Sequence, residues 1–126
     1  GVLIEPAPPN FEHLTKRRPN STKINRAVCS QAGQMPFVGE GASAASLALL
    51  DSKRMETLSK GWSEKWRTPY SVECSPLQDM LGDLTRVDLL IIDNEGGEFD
   101  ALSTIDFGKV QVRVVIIEED RSCRRE

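Results

Sequence analysis

The most informative pattern in the chain is an apolar run, residues 89–92, that is followed directly by acidic residues and glycines. The run shows no alternation of apolar and polar positions, which is typical of a strand with both faces buried in a parallel sheet. Asp93 and Glu95 follow where the strand ends, and Gly96 and Gly97 allow a sharp turn. The pattern predicts a central strand that ends in a carboxylate-rich turn.

Strands and helices are predicted to alternate along the rest of the chain. The other predicted strands cover residues 2–4, 22–29, 70–74 and 110–118, with a weaker pattern at 35–38. The predicted helices cover residues 11–18, 76–81 and about 98–103. Asn10 is the expected N-cap of the first helix, and Ser75 with Gln78 forms the capping box of the second. This order predicts an α/β fold with a doubly wound, mostly parallel sheet.

Bulk composition narrows the class of protein. The chain has 126 residues, enough for one domain, and its 39% hydrophobic content is ordinary for a soluble globular protein. A net charge of −3 argues against a dedicated nucleic-acid binder. No apolar run approaches the roughly 18 residues of a membrane span, and no signal peptide is recognisable.

The cysteines are odd in number and lack close spacing. Cys29, Cys74 and Cys123 predict neither a disulfide framework nor a zinc site, which slightly favours an intracellular setting. Cys29 and Cys74 also lack an adjacent base that would make them nucleophiles. The lone His13 is interpreted as a packing or surface residue, since nothing gives it a partner.

Carboxylates follow three of the predicted parallel strands. They are Glu5, the pair Asp93 and Glu95, and the pair Glu118 and Glu119. Because parallel strands end at the same edge of a sheet, these side chains are expected to converge there. A carboxylate after an early strand can accept hydrogen bonds from a ribose diol, whereas an Asp–Glu pair can position a hydroxyl, act as a general base or bind a metal. No metal is predicted, because so few ligands are available.

The stretch between residues 30 and 70 is the least regular. Gly39, Glu40 and Gly41 lack the spacing of a phosphate-binding loop. Trp62 and Trp66 alternate with basic residues, which is compatible with a substrate lid or a surface patch that binds nucleic acid. The favoured interpretation is an amphipathic cover with both indoles packed on the sheet.

Several segments together resemble the FkbM-type family of S-adenosylmethionine-dependent methyltransferases. The segments are Ile4-Glu5-Pro6, Asn10-Phe11-Glu12 with Leu14, residues 25–29, Cys74-Ser75-Pro76-Leu77, residues 87–98, Ala101-Leu102, Ile105-Asp106-Phe107 and residues 114–118. The stretch 87–98 is similar to the family's most recognisable motif, Ile-Asp-x-Glu-Gly-x-Glu. The resemblance leaves out only about residues 40–68.

The resemblance implies a Rossmann-like class I methyltransferase fold and S-adenosyl-L-methionine as cofactor. By position, Glu5 would bind the ribose hydroxyls, and Ala27, Val28 and Cys29 would lie near the adenine. Asp93 would face the reacting end of the cofactor. An acidic edge would also attract the cationic sulfonium.

The resemblance further implies methyl transfer to a hydroxyl of a sugar or another small molecule. Asp93 and Glu95 would form the catalytic pair, and Glu98 and Glu118 would contact the acceptor. In-line transfer gains much of its rate from positioning, and a carboxylate that takes the acceptor proton supplies the rest.

One feature of the family is missing from these residues, namely its first strand with the glycine-rich loop. The chain also opens in mid-strand, so residues 1–126 are interpreted as a partial domain carrying the second to fifth strands, with a variable insertion at about 30–70. We expect a gap, an abnormal strand pairing or a partner chain in place of the first strand, and little cofactor binding or activity in this segment alone.

Two alternatives remain open from the sequence. A non-catalytic interaction module would keep the fold without the cofactor loop. A dinucleotide-binding domain of the NAD type rests on Glu5 alone.

Overall fold

The computed structural model describes residues 1–94 and 96–118, and it has a mixed α/β architecture. The strands are β1 Val2–Ile4, β2 Thr22–Ile24, β3 Ala27–Val28, β4 Gly33–Val38, β5 Ala45–Ser46, β6 Tyr70–Ser75, β7 Arg86–Val87, β8 Leu90–Ile92, β9 Gln111–Val112 and β10 Val115–Ile117. The helices are α1 Pro8–Arg17, α2 Ser52–Ser59, α3 Glu64–Arg67, α4 Leu77–Leu81 and α5 Glu98–Ser103, with 3-10 turns at Gly41–Ser43 and Leu47–Leu49. None of these helices is long and apolar enough to cross a membrane.

The strands form four separate hydrogen-bonded groups. Parallel pairs join β1 to β2, β7 to β9 and β8 to β10, while the fourth group has the order β3-β6-β4-β5. In that group β3 lies parallel to β6, and β4 lies antiparallel to both β6 and β5. Parallel pairing was correctly predicted, but a single doubly wound sheet is not seen in the described residues.

Two of the parallel pairs are parts of one longer ladder. Arg86 pairs with Gln111 and Leu90 with Val115, which is the same register. The Leu90 N–H donates to the Val114 carbonyl at 2.9 Å and bridges the interruption. Residues 86–92 and 111–117 therefore run side by side in one parallel register.

The main core lies between this ladder and two helices. Its buried members are Leu77, Leu81, Ile92, Ala101, Ile105 and Val110, from α4, β8, α5 and the segment before β9. Ile4 of β1 and Val28 of β3 pack against the same cluster. A second cluster, Ala27, Phe37, Val72 and Cys74, lies within the β3-β6-β4 group.

The prediction that residues 89–92 are buried on both faces is wrong. Ile92 is only 7% exposed, whereas Leu89 and Ile91 are 52% and 61% exposed. Successive side chains of a strand point to opposite faces, and α4 and α5 cover only one of them. On the partner strand Val114 and Ile116 are exposed as well, so the other face of the ladder is bare among the described residues.

Two predicted helix caps are also wrong. The first helix begins at Pro8, with Ala7 as its N-cap, because proline at the first position already fixes a helical φ. Asn10 therefore lies inside α1. Ser75 instead ends β6, and Gln78 accepts a hydrogen bond from the Asp106 N–H at 3.0 Å rather than closing a capping box.

The prediction that the cysteines form no disulfide is wrong as well. Cys29 follows β3 and Cys74 lies in β6, and a disulfide joins them with their Cα atoms 5.7 Å apart. Parallel pairing of β3 with β6 brings the two residues together. Cys29 and Cys74 are therefore not unpaired thiols and do not favour a reducing compartment.

Candidate functional site

The carboxyl ends of β8 and β10 bring two of the predicted acids to one edge. Ile92 pairs with Ile117, and Asp93 and Glu118 are the next residues on each strand. The Glu118 N–H donates to the Ile92 carbonyl at 3.1 Å, which continues the ladder to this point. Asp93 is exposed. The predicted site residues Glu95 and Glu119 lie outside the described residues.

Glu5 directly follows β1, which belongs to a different strand pair from the β8 strand that precedes Asp93. Its Oε1 accepts a hydrogen bond from the Ala7 N–H at 2.8 Å, and the side chain is half-buried. Burial raises the pKa of Glu5, while the Ala7 N–H and the Asn10 side-chain amide offset part of that rise. Within residues 1–94 and 96–118 no ion pair is formed by Glu5, so its carboxylate has acceptor capacity left for a ligand.

Asn25 fixes the end of β1 from the neighbouring strand. Its Nδ2 donates to the Glu5 carbonyl at 2.8 Å and to the Pro6 carbonyl at 3.1 Å. The Glu5 N–H in turn donates to Ile24 at 3.0 Å. Sequence reasoning did not assign Asn25 a role, although a polar residue between two short strands is a signal for such a bond.

The region expected near the adenine is the short strand β3. Ala27 is buried, and the Cys29 N–H donates to the Ser75 carbonyl at 3.1 Å. Arg26, also missed from the sequence, donates to Ser75 Oγ at 2.9 Å and pairs with Glu73 at 3.0 Å. The sulfur of Cys29 is engaged with Cys74, so only its backbone and Cβ are available to a ligand.

A loop from the irregular stretch, residues 39–41, is bonded to α1 and β6. Asn10 Nδ2 donates to the Gly41 carbonyl, and the Gly41 N–H donates to Asn10 Oδ1, both at 2.9 Å. The Tyr70 hydroxyl donates to the Gly39 carbonyl at 2.9 Å. The pKa of Tyr70 is raised to about 12, first by burial and then by the negative charges of Glu5 and Glu40. These contacts join residues 39–41 to α1 and β6.

Trp62 packs on the other side of this loop. It is 3% exposed, and its Nε1 donates to Ser43 Oγ at 2.8 Å. The Ser63 N–H donates to Glu40 Oε1 at 2.7 Å, which lowers the pKa of Glu40. Trp66 lies edge-on to Tyr70 with ring centroids 5.1 Å apart. Both indoles thus pack inward against the loop and β6.

Glu98 stabilises the turn after β8 through hydrogen bonds to the backbone of that turn. Its Oε1 accepts hydrogen bonds from the Asn94 N–H at 3.1 Å and the Gly96 N–H at 3.0 Å, and the residue is buried. Gly96 has a φ of +108°, a conformation that glycine adopts readily. One oxygen of Glu98 is therefore used by the chain itself, and its predicted contact with the acceptor remains a prediction.

Asp88 lies before β8 and forms ion pairs with two arginines. Its distances are 2.7 Å to Arg86 and 3.3 Å to Arg113, so it links β7 to the adjacent strand.

No cluster of three His, Cys, Asp or Glu side chains that could hold a metal is found in residues 1–94 and 96–118.

Comparison with known proteins identifies the family to which this chain belongs. No curated protein and no solved structure matches the chain significantly. The family model described as the Methyltransferase FkbM domain matches residues 1–122, which include β1, β8, β10 and the turn after β8. The resemblance noted from the sequence is therefore confirmed, and the chain belongs to the FkbM methyltransferase domain family.

Proposed function

We propose that this chain forms part of an S-adenosylmethionine-dependent O-methyltransferase that acts on a hydroxyl of a sugar or another small molecule. The observation that carries the proposal is the state of Glu5. It is a half-buried carboxylate directly after a parallel strand, it accepts a hydrogen bond from the Ala7 N–H, and it forms no ion pair within residues 1–94 and 96–118. Such a group is suited to accept two hydrogen bonds from a ribose diol.

The residues present fit the cofactor in their chemistry. Glu5 offers an acceptor for the ribose hydroxyls. Val28 and the backbone of Cys29 are half-buried and offer a small apolar surface for adenine beside the buried Ala27. Asp93 and Glu118 supply negative charge at the neighbouring edge, which favours a cationic sulfonium.

When bound, S-adenosylmethionine would supply an electrophilic methyl group, and its sulfur would keep the electron pair of the broken S–C bond as a neutral thioether. The chain's own contribution is to hold the acceptor and to take its proton. Asp93 is exposed at the strand end and is free to meet a hydroxyl, and Glu95 is its proposed partner. As the hydroxyl oxygen gains the methyl group, its proton passes to one of these carboxylates.

The doubly wound sheet belongs to this proposal. In the described residues β1 pairs with β2 alone and β8 with β10 alone, although Ile4 and Ile92 pack on one core. A strand that paired with both β1 and β8 would join these groups into a continuous parallel sheet. The family's glycine-rich loop is not among residues 1–126, so we expect this chain alone to bind the cofactor weakly and to be inactive.

Methyl transfer and cofactor binding test the proposal separately. In the full-length protein, labelled methyl groups should pass from S-adenosylmethionine to a hydroxylated acceptor, and Asp93→Asn should lower the rate by about 10²–10⁴-fold if it is the base. Calorimetric titration of the 126-residue chain with S-adenosylmethionine should show binding weaker than micromolar. Absence of methyl transfer to any hydroxylated acceptor would contradict the function.

A further inference from the structure

The turn after β8 contains a buried polar atom without a hydrogen-bond partner among the described residues. This atom is the side-chain oxygen Oδ1 of Asn94, which directly follows Asp93 and is shielded from solvent. Unpaired buried carbonyls are rare in native proteins, because each one costs the free energy of its desolvation. Exceptions of this kind are expected where function requires them. Asn94 is therefore a candidate for a residue whose partner is a ligand.

The backbone that carries the Asn94 side chain is held by Glu98. The Oε1 atom of Glu98 accepts hydrogen bonds from the Asn94 N–H at 3.1 Å and from the Gly96 N–H at 3.0 Å. Glu98 is itself buried, so this arrangement is protected from competition by water. The position from which the Asn94 side chain leaves the turn is thus fixed before any ligand arrives.

A side chain from the irregular stretch reaches the same turn beside Gly97. A Cβ on Gly97 would lie 3.2 Å from Asn94 Nδ2 and 3.3 Å from Leu49 Cδ1. Gly97 has no side chain, so the Asn94 amide and Leu49 are separated there by a gap that one methyl group would fill. This gap is the approach to the amide on the side of the irregular stretch.

The 3-10 turn that carries Leu49, residues Leu47–Leu49, is closed by long hydrogen bonds. The Ala48 N–H donates to Ser46 Oγ at 3.3 Å, and the Leu50 N–H donates to the Leu47 carbonyl at 3.4 Å. Both distances exceed the usual N–H···O distance of about 2.9–3.0 Å. Leu49 therefore belongs to a weakly closed turn, which can move away from Asn94 at low cost.

We propose that Asn94 Oδ1 and the gap beside Gly97 form a subsite for a second hydroxyl of the acceptor molecule, distinct from the hydroxyl that is methylated. The inference rests on the proposed function, in which Asp93 takes the proton of the reacting hydroxyl, and it specifies that the acceptor is a polyol. The second hydroxyl displaces Leu49 and donates to Oδ1 the hydrogen bond that no described residue supplies. A site of this kind discriminates against acceptors that lack the second donor.

The sign of a stability change tests whether the oxygen is unpaired. Asn94→Leu replaces the amide with an apolar side chain of similar size, so in urea titrations of the 126-residue chain it should lower the equilibrium constant for unfolding by about fivefold or more. Asn10→Leu is the matched control, because the half-buried Asn10 amide exchanges two hydrogen bonds with Gly41 and its loss should raise that constant. If Asn94→Leu destabilises the chain as Asn10→Leu does, Oδ1 has a partner such as water in solution and the inference is wrong.

Polyol binding is followed by NMR with methyl α-D-glucopyranoside and tetrahydropyran, which share a six-membered ether ring and differ in their hydroxyls. In the wild-type chain the glucoside at millimolar concentrations should shift the Asn94 side-chain amide and the Gly97 N–H, and tetrahydropyran should not. Asn94→Leu should lose the Gly97 shift because the acceptor oxygen is gone. Gly97→Ala should lose the Asn94 shift because its methyl group fills the gap, and the φ of −102° at this position tolerates alanine. Equal responses to the two probes, including none, or shifts that persist in both variants would overturn the inference.

Kinetics of the full-length protein separate this inference from the proposed function. With an acceptor that the wild type methylates, Asn94→Leu should raise KM by about tenfold, more than it lowers kcat, because Asn94 binds the acceptor and does not take its proton. If methyl transfer occurs and both variants leave KM unchanged, the inference is wrong and the proposed function stands. If the glucoside binds at Asn94 but no hydroxylated acceptor is methylated, the proposed function fails and the polyol subsite stands.

Discussion

Cys29 and Cys74 are joined by a disulfide that links two neighbouring parallel strands, β3 and β6. The bond encloses the whole irregular stretch, including β4, β5, α2 and α3. It therefore ties the segment that carries residues 39–43 to the strand expected near the adenine. Cys74 is itself a buried member of the second core cluster.

The disulfide should contribute substantially to stability. A cross-link between residues 45 apart restricts the unfolded chain, which corresponds to about 2–4 kcal/mol in the free energy of unfolding. Urea unfolding with and without a dithiol reductant should show a loss of this size in wild type. The double variant Cys29→Ser and Cys74→Ser should be insensitive to the reductant. Equal reductant sensitivity in wild type and double variant would contradict the assignment of this bond.

Adjacent isoleucines of β8 should respond differently to truncation. Ile92→Ala removes a core side chain that packs between α4 and α5, so it should lower the free energy of unfolding by about 2–4 kcal/mol. Ile91→Ala removes a side chain that is 61% exposed and should cost under about 1 kcal/mol. Chemical denaturation of the two variants measures both changes in the free energy of unfolding. Equal losses would show that both faces of β8 are covered in solution.

Ile91 and Ile92 show what the pattern of apolar and polar residues along the chain can and cannot predict. The apolar run at residues 89–92 correctly predicts a parallel strand, because strand length and composition are local properties. Which face is covered depends on what packs there. The helices α4 and α5 lie on the side of Ile92, and no described element lies on the side of Ile91. An unalternating run cannot by itself distinguish these cases.

Gly39 should be far less tolerant of a side chain than Gly41. Both have positive φ, +90° and +66°, so alanine is strained at either position by about 1–2 kcal/mol. At Gly39 a Cβ would also lie 2.5 Å from the Trp62 ring, whereas at Gly41 it meets open space. Displacing the buried indole adds about 1–3 kcal/mol.

Urea unfolding of Gly39→Ala and Gly41→Ala measures this difference, and Trp fluorescence reports the displacement. Gly39→Ala should shift the emission because the indole loses its contact with the loop, while Gly41→Ala should leave the emission unchanged. A Gly41→Ala variant that is as unstable as Gly39→Ala would mean that strain alone accounts for both.

The candidate site illustrates a second limit of sequence reasoning. Glu5 and Asp93 are recognisable because each follows an apolar strand directly. The sequence predicts that Asn10 is a helix cap, since asparagine near a helix start usually has that role. Its actual partner, Gly41, lies across a stretch with no regular pattern. Contacts of this kind depend on tertiary placement, and a single sequence contains no local signal for them.

The stability of the chain should carry a pH dependence that belongs to Glu5. Burial raises its folded-state pKa above 4.5, so the folded chain holds this proton to a higher pH than the unfolded chain does. Above about pH 4.5 the unfolded state binds fewer protons than the folded state, and the contribution of Glu5 to stability therefore falls as the pH rises through the folded pKa.

The variant Glu5→Gln removes this pH dependence. The free energy of unfolding of Glu5→Gln minus that of wild type should consequently rise with pH across this window in urea titrations. Glu12→Gln is the control of opposite sign, because Lys16 lowers the pKa of Glu12 and the corresponding difference should fall with pH. A Glu5→Gln difference that stays flat or falls would show that the Glu5 carboxylate is fully solvated and is not the shielded acceptor proposed for the ribose.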